Sequence, residues 1–262
     1  MEIKAYAKLN LILNVKGKRE DGFHEIETVF QAIDLYDRVI VVPADKDDIG
    51  FLPTGKYRPR ISKDSNLALK ALFKAKEVFK RDDNYFVSIE KNIPLSGGLG
   101  GGSADAAAVL SALARIWEMP WEEMLPLAGS LGSDVPFCLA SQNGHPAAIG
   151  RGRGEILEYI EPLKARIHLK RSNIHIKSKT ASVYGALIPE DYLVQYDVAS
   201  FAKAKDLKEK IKYMGNHLQP ALERITGKKE DMLLCGAGPT YFKISETGEY
   251  KTIMSTTHRL NP

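Results

Sequence analysis

The chain of 262 residues has only two cysteines, Cys138 and Cys235, too few for a disulfide framework and without histidine or cysteine company for a metal site. That scarcity predicts a reducing compartment, the cytoplasm. Long apolar runs are missing, which excludes a helical membrane span, and the N-terminus starts directly on strand-like sequence, so no signal or transit peptide is expected. Neither sign of charge dominates: the formal net charge is +4, with lysines clustered at 63–81 and 203–213 on helix-like stretches. Solvated helix faces account for those clusters, and a dense basic stripe interleaved with aromatics, the mark of a nucleic-acid surface, is lacking. Repeats and low-complexity tracts are absent as well. What remains is an ordinary globular composition, 44% hydrophobic and 27% charged, with enough length for one large or two small domains.

Against this plain background one run stands out. Five glycines fall between residues 97 and 102, after Pro94 and just before an alanine-rich helical stretch. Glycine admits positive φ and lets a backbone approach a ligand closely. A helix N-terminus behind it presents unpaired N–H groups and the positive end of a dipole. The combination predicts an anion cradle for nucleotide phosphates. It is not a Walker A loop, because Ser103 stands where that motif has lysine, and the same serine spoils a dinucleotide fingerprint. The competing reading is a flexible turn that caps a core helix.

Residues 3–15 alternate, so Ile3, Ala5, Ala7, Leu9, Leu11, Leu13 and Val15 are expected on the buried face of a strand and Tyr6, Lys8, Asn10 and Asn14 on the other. A turn at Gly17–Gly22 leads to strands at 26–33 and 38–42 and then a polar connection. Helix is expected over 66–81 and from about 106 to 117, where Ala106, Val109, Leu110, Leu113, Ile116 and Trp117 recur at helical spacing, and again near 121–131. Strands are expected at 85–91, 146–149, 154–159 and 166–170. Helices follow near 181–187, 205–214 and 217–225, with strands flanking 236–239. The chain divides most naturally near 155–165.

Four further segments carry chemistry-bearing residues. Lys8 and Asn10 sit on the non-core face of the opening strand, where a lysine can stabilise an anion or merely protect a sheet edge. Asp134, in Gly132-Ser-Asp-Val-Pro136, can act as a general base or as a helix N-cap with proline in the first turn. In Asp21-Gly-Phe23-His24, the aromatic can stack on a base while the histidine bonds its edge, or the segment can be a surface turn. Gly236 to Thr240 allows two backbones, or a backbone and a phosphate, to pass closely, or forms a tight turn between strands.

Taken in order, these segments resemble the GHMP kinases. The family's Ala-Lys-Leu/Ile-Asn is matched by residues 7–10, its Asp-Gly-aromatic-His-Glu by 21–25, and its Gly-Leu-Gly-Gly-Gly-Ser loop by 98–103. Gly132-Ser-Asp-Val-Pro-Phe137, Gly152-Arg-Gly-Glu155, Thr180-Ala-Ser-Val-Tyr184, Asn216-His-Leu-Gln-Pro220 and the motif at 236–240 extend the likeness over nearly the whole chain. The resemblance implies an α/β (α+β) two-domain fold. Residues 1–155 would form an ATP-binding and catalytic domain like ribosomal protein S5 domain 2, and 156–262 a ferredoxin-like domain. It implies ATP-dependent phosphorylation of the 2-hydroxyl of a diphosphocytidyl methylerythritol on the non-mevalonate route to isoprenoids. ATP would contact Asn66, Lys91, Pro94, Gly97, Gly98, Leu99, Gly100, Gly101, Gly102 and Ser103. Mg²⁺ would arrive mainly on ATP, with Ser103 as a further contact. Lys8 and Asp134 would be catalytic. Asn10, Phe23, His24, Thr180, Tyr184, Gly236 and Gly238 would bind substrate, with Phe23 and Tyr184 sandwiching the cytosine.

The implied partners are ATP and a small cytidyl diphosphate, with no nucleic acid or membrane, in a monomer or weak homodimer. Ala104 stands where the family has a second loop serine, Ala237 where it has serine or threonine, and His145-Pro-Ala-Ala148 where it has Gly-Gly-Thr-Ala. The loss of a hydroxyl at 104 predicts thinner contact with phosphate or metal. Ala104 and Ala237 motivate the competing reading of a nucleotide-binding protein without full catalysis; a kinase of another small alcohol is a further alternative, and the basic balance motivates an RNA binder on the S5-like fold.

Overall fold

The computed structural model describes residues 1–59, 62–174, 176–245 and 248–254. The last stretch of the expected second domain, 255–262, lies outside the described residues. The opening alternation produces strand β1 (Glu2–Lys18), which pairs antiparallel with β2 (His24–Pro43) across the turn at 19–23. β2 is one long strand where two were expected. The polar Asp34–Asp37 segment interrupts the apolar pattern without breaking the chain's course, because a register shift between Tyr6 and Ala7 absorbs it.

The predicted alternation of β1 holds as far as Leu11 and then changes parity. A bulge between Asn10 and Ile12 leaves Leu11 without a partner residue in β2. Leu11 and Ile12 both stay with the main core, whereas Leu13 and Val15 join a second cluster with Val183, Leu218 and Leu222. Asn14 is thereby separated from Lys8 and Asn10, and its amide pairs with the backbone of Tyr196 at 2.7 and 3.1 Å. Nor is the polar face of β1 open to water: Lys8, Asn10 and Asn14 are all buried.

Strand β3 (Asp48–Phe51), in the stretch expected to be a polar connection, pairs parallel with β4 (Tyr85–Glu90), and β4 pairs with β2. Between β3 and β4 runs α1 (Leu67–Phe79). After β4 comes the glycine run, then α2 (Gly101–Ile116), α3 (Leu125–Leu131) and α4 (Val135–Gln142). Every residue of α2 from Ala104 to Ala114 is buried. Its small alanine side chains let α1, α4 and β1 pack close around it, so the helix behind the glycine run is held on several sides. Strands β5 (Ala147–Arg151) and β6 (Ile156–Tyr159) extend this sheet from the other half of β2.

A second sheet is built from β7 (Arg166–Arg171), β9 (Leu233–Leu234), β10 (Thr240–Ser245) and β11 (Tyr250–Lys251), in the order β11-β7-β10-β9. Helices α5 (Lys179–Gly185), α6 (Val198–Lys203), α7 (Leu207–Lys212) and α8 (Leu218–Thr226) belong to this half of the chain. The expected helix over 205–214 is α7, and α6 lies before it. Two residues of this half, β8 (Gly215–Asn216), leave it to pair parallel with Ile12 and Leu13 of β1. That pairing brings the segments around 179–184 and 236–238 to the polar side of β1.

Candidate active site

The glycine run is shaped by what presses on it. Gly98 and Gly100 have φ of +81° and +73°, and a Cβ on Gly98 would lie 2.2 Å from the Cys235 carbonyl oxygen. Glycine at 98 is thus required twice over, by conformation and by contact. The loop is also tied to its surroundings: the Lys8 amide donates to the Leu99 carbonyl at 3.0 Å, and the Thr240 amide to the Gly97 carbonyl at 3.3 Å. Leu99 points into the core and anchors the run. α2 begins at Gly101, and its first amides have no acceptor within the helix. An anion placed there meets free N–H groups and the positive end of a sixteen-residue helix.

Lys8 and Asn10 form the floor beside this loop. The Lys8 Nζ donates to Asn10 Oδ1 at 2.8 Å, Asn10 Nδ2 donates to Thr28 Oγ1 at 2.8 Å, and Thr28 donates to the Ile12 carbonyl at 2.5 Å. The chain of bonds fixes the ammonium in a buried position, 3.3 Å from Asp134 Oδ2. Asp134 stands at the start of α4, yet its side chain makes no capping hydrogen bond. The helix-cap reading of Asp134 is therefore not the one realised. Pro136 sits in the first turn of α4, and the carboxylate turns to Lys8 instead.

Two clefts open from this point. The first, of about 650 Å³, is lined by Lys8, Asn10, Phe23, His24, Asp134 and Tyr184 among others. The second, of about 1100 Å³, is lined by Asn66, Lys91, Pro94 and the glycines at 97, 98 and 100–102. Gly98, Gly100, Ser103, Lys179, Thr180 and Ala181 line both, and so form the wall between them. Gly236 lines the first cleft at φ +54°, and a Cβ there would stand 3.4 Å from Lys8 Nζ and 3.4 Å from Asn10 Oδ1. Gly238 and Leu99 lie behind the wall: a Cβ on Gly238 would meet Leu222 and Leu234 at 2.8 Å.

At the far end of the first cleft, His24 lies against Tyr184 with ring centroids 4.8 Å apart. Burial, with Lys18 adding, lowers the His24 pKa, so its imidazole is neutral at pH 7. Phe23 is 52% exposed, and the Arg153 guanidinium stands 4.9 Å from its ring centroid. Burial pushes the Tyr184 hydroxyl up, with Asp134 adding to the effect. In the second cleft, Asn66 caps α1, accepting from Ala68 and Leu69 amides at 2.9 and 3.4 Å, which leaves its Nδ2 for a ligand.

Lys91 is less free than the sequence suggested. Its ammonium is buried between Asp37 and Asp105, at 2.6 Å from the latter. Asp37 also accepts from the Asn92 and Ile93 amides at 2.5 and 2.8 Å. Burial raises Asp105 above the usual carboxylate range, and Asp37 adds to this while Lys91 opposes it. One buried ammonium cannot neutralise two carboxylates, so a proton on Asp105 completes the balance.

Ala104 proves irrelevant to either cleft. Its methyl is fully buried in the main core, so a hydroxyl at this position would not face the phosphates. The expectation of thinner phosphate contact there is corrected by the turn of α2, which aims residue 104 inward and Ser103 outward. His145 stacks on Tyr159 at 4.0 Å, lining neither cleft.

Several lining residues were missed in the sequence. Arg153 lay in a recognised glycine motif, and its relation to Phe23 appears only once β5 and the 19–23 turn meet. Arg171 lines the second cleft and donates to the Leu95 carbonyl at 3.1 Å. Lys179, one residue before the singled-out Thr180, donates to the Ser96 carbonyl at 2.7 Å and to that of Gly238. Burial, with Lys8 and Arg171 nearby, lowers its pKa to about 8. No local signal marked it. Cys138 and Cys235 are buried and free, and burial pushes both thiols up, which leaves them neutral.

Known proteins share both the pattern and the shape. Residues 66–142 match the GHMP kinases N terminal domain. A 4-diphosphocytidyl-2-C-methyl-D-erythritol kinase of Fervidobacterium nodosum is 33% identical over 96% of this chain and 93% of its own. One of Bacillus cytotoxicus is 35% identical over 92% of this chain and 86% of its own. A crystal structure of 4-(cytidine 5'-diphospho)-2C-methyl-D-erythritol kinase superposes with a TM-score of 0.76 at 30% identity, covering 94% of this chain and 90% of that one. A mevalonate kinase structure, at 12% identity and a TM-score of 0.62 over 93% of this chain and 91% of its own, shares the fold.

Proposed function

The chain belongs to the GHMP kinases, among the 4-diphosphocytidyl-2-C-methyl-D-erythritol kinases, and from that membership we propose that it transfers the γ-phosphoryl group of ATP to the 2-hydroxyl of 4-diphosphocytidyl-2-C-methyl-D-erythritol. It is a small-molecule kinase. The observation that carries the reading is the Lys8–Asp134 pair in the first cleft, with Lys8 packed against Gly100 of the wall that this cleft shares with the second. A nucleotide in the second cleft places its phosphates over Gly97–Ser103. A cytidyl substrate in the first, with its base near Phe23, His24 and Tyr184, brings an alcohol to Asp134.

Asp134 accepts the hydroxyl proton as the oxygen–γ-phosphorus bond forms and the bond to the β-phosphate oxygen breaks, releasing ADP. Lys8, held by Asn10 and Thr28, stabilises the negative charge near the reacting oxygens and orients Asp134. Lys18, Arg153 and Lys179 give the first cleft an excess of positive charge that suits a diphosphate. The neutral His24 can both donate to and accept from a pyrimidine edge. Among the described residues no group of three or more His, Cys, Asp or Glu gathers as a metal cage. Ser103, which lines both clefts, would be the residue to contact Mg²⁺ brought in on ATP, where the ion would neutralise phosphate charge. No described helix is long and apolar enough to cross a membrane. A cytoplasmic monomer or weak homodimer, divided near residue 155, belongs to the same proposal.

A coupled assay of ADP release tests it. Turnover is expected only with the cytidyl substrate, and Asp134→Asn should lower kcat by about 10²-fold or more, the scale of a lost general base. Turnover of homoserine or mevalonate instead, or ATP binding with no transfer to the cytidyl substrate, would overturn it.

A further inference from the structure

Lys179 has no carboxylate partner among the described residues, although it shares the first cleft with Lys8 and the second with Arg171, and both charges act on it. An ammonium has three N–H donors. Two have acceptors, the carbonyls of Ser96 and Gly238, which leaves one without. The residue is half-buried, lines both clefts, and borders the stretch where Gly98, Gly100 and Ser103 also face both. A cation kept partly from water, repelled by its neighbours and lacking an acid calls for an anion. The only group that must pass from one cleft to the other is the phosphoryl group.

We propose that Lys179 binds the terminal phosphate of ATP during transfer, as a second cation beside Lys8, and so belongs to the catalytic residues. The inference rests on the kinase reading and assigns a residue that neither the loop nor the Lys8–Asp134 pair supplies. A terminal phosphate offers several charged oxygens in place of two neutral carbonyls, so the ammonium gains by turning toward it. Its hydrogen bond to Ser96 also ties α5 to the glycine loop, and a purely mechanical clamp is the role to be told apart.

Lys179→Gln keeps a donor for the carbonyls but no charge, whereas Lys179→Arg keeps the charge. Calorimetric titration with Mg-ATP and Mg-ADP separates the roles, and ADP binding reports that each variant is folded. Lys179→Gln should weaken ATP by about 10-fold and ADP by no more than about twofold, with kcat down roughly 10²-fold. Lys179→Arg should keep the ATP-to-ADP preference. Equal loss for both nucleotides, or no loss for either, would overturn the inference. A wild-type protein that prefers ATP through Lys179 but leaves the cytidyl substrate untouched would instead overturn the substrate assignment and leave this one standing.

Discussion

At the scale of single residues, the buried Asp37–Lys91–Asp105 group sets the sharpest constraint. Two carboxylates share one ammonium with hardly any water, so the group tolerates the loss of an acid far better than the loss of the base. Asp105→Asn mimics the protonated carboxyl and should change stability by less than about 1 kcal/mol. Lys91→Met leaves the buried Asp37 carboxylate without its counter-charge and should cost about 3–5 kcal/mol. Urea unfolding of the two variants checks the ordering, and a reversal would mean that Asp105 is ionised. Lys91, singled out in the sequence, lines the second cleft, but Asp37 was not legible, because its partner lies fifty-four residues further along the chain. Lys8 and Asp134 show the opposite case. Their motifs were visible, and only the distance between them had to be supplied.

Elements set the next level, and the glycine loop with α2 is the one on which the site depends. Its glycines are not equivalent. Gly98→Ala forces a side chain into a positive-φ position against the Cys235 carbonyl and should cost more than about 2 kcal/mol. At Gly102, in the first turn of α2, a Cβ meets nothing within 4 Å. Gly102→Ala should therefore fold at least as well as the parent, gaining roughly 0.5–1 kcal/mol of helix propensity, while crowding the phosphates and raising the KM for ATP. Thermal melts paired with ATP titrations test both variants. The amphipathic α1 could be read from periodicity because one face of it is buried, and α2, buried all round, still shows its larger apolar residues at helical spacing among alanines. β1 misled after Leu11, since a bulge that inserts one residue inverts a pattern whose period is two. The strands β8, β9 and β11 have two residues each, too short to carry any periodic signal.

For the whole molecule, the question is what couples the two halves. His217, almost fully buried, accepts the Val15 amide at Nδ1 (3.0 Å) and meets the Val194 carbonyl at Nε2 (2.5 Å), tying β1 to the segment before α6. Protonation of Nδ1 would remove that acceptor. Burial accordingly lowers the His217 pKa below its ordinary 6.5, as it does for His24. In that window the unfolded chain binds more protons than the folded one. Stability therefore rises with pH there and is lost as pH falls below about 6.5. The urea midpoint should be lower at pH 5.5 than at pH 7.5, and His217→Gln should shrink the difference. An unchanged difference would place the pH sensitivity elsewhere. Composition and motif order were enough to indicate the class of fold and the family. The way β8 crosses into the first sheet was not, because Gly215 and Asn216 look like any loop until Leu13 is seen beside them.

The wall formed by Gly98, Gly100, Ser103 and Lys179–Ala181 has one more consequence, for inhibitors. Because the two clefts touch along it, adenosine and cytidine groups could be joined by a short phosphate tether without spanning any protein. Such a bisubstrate compound makes its second docking step intramolecular, at an effective concentration in the millimolar range for a short flexible link. Its selectivity would come from the pairing itself, since a protein with only one of the two recesses would gain nothing from the tether.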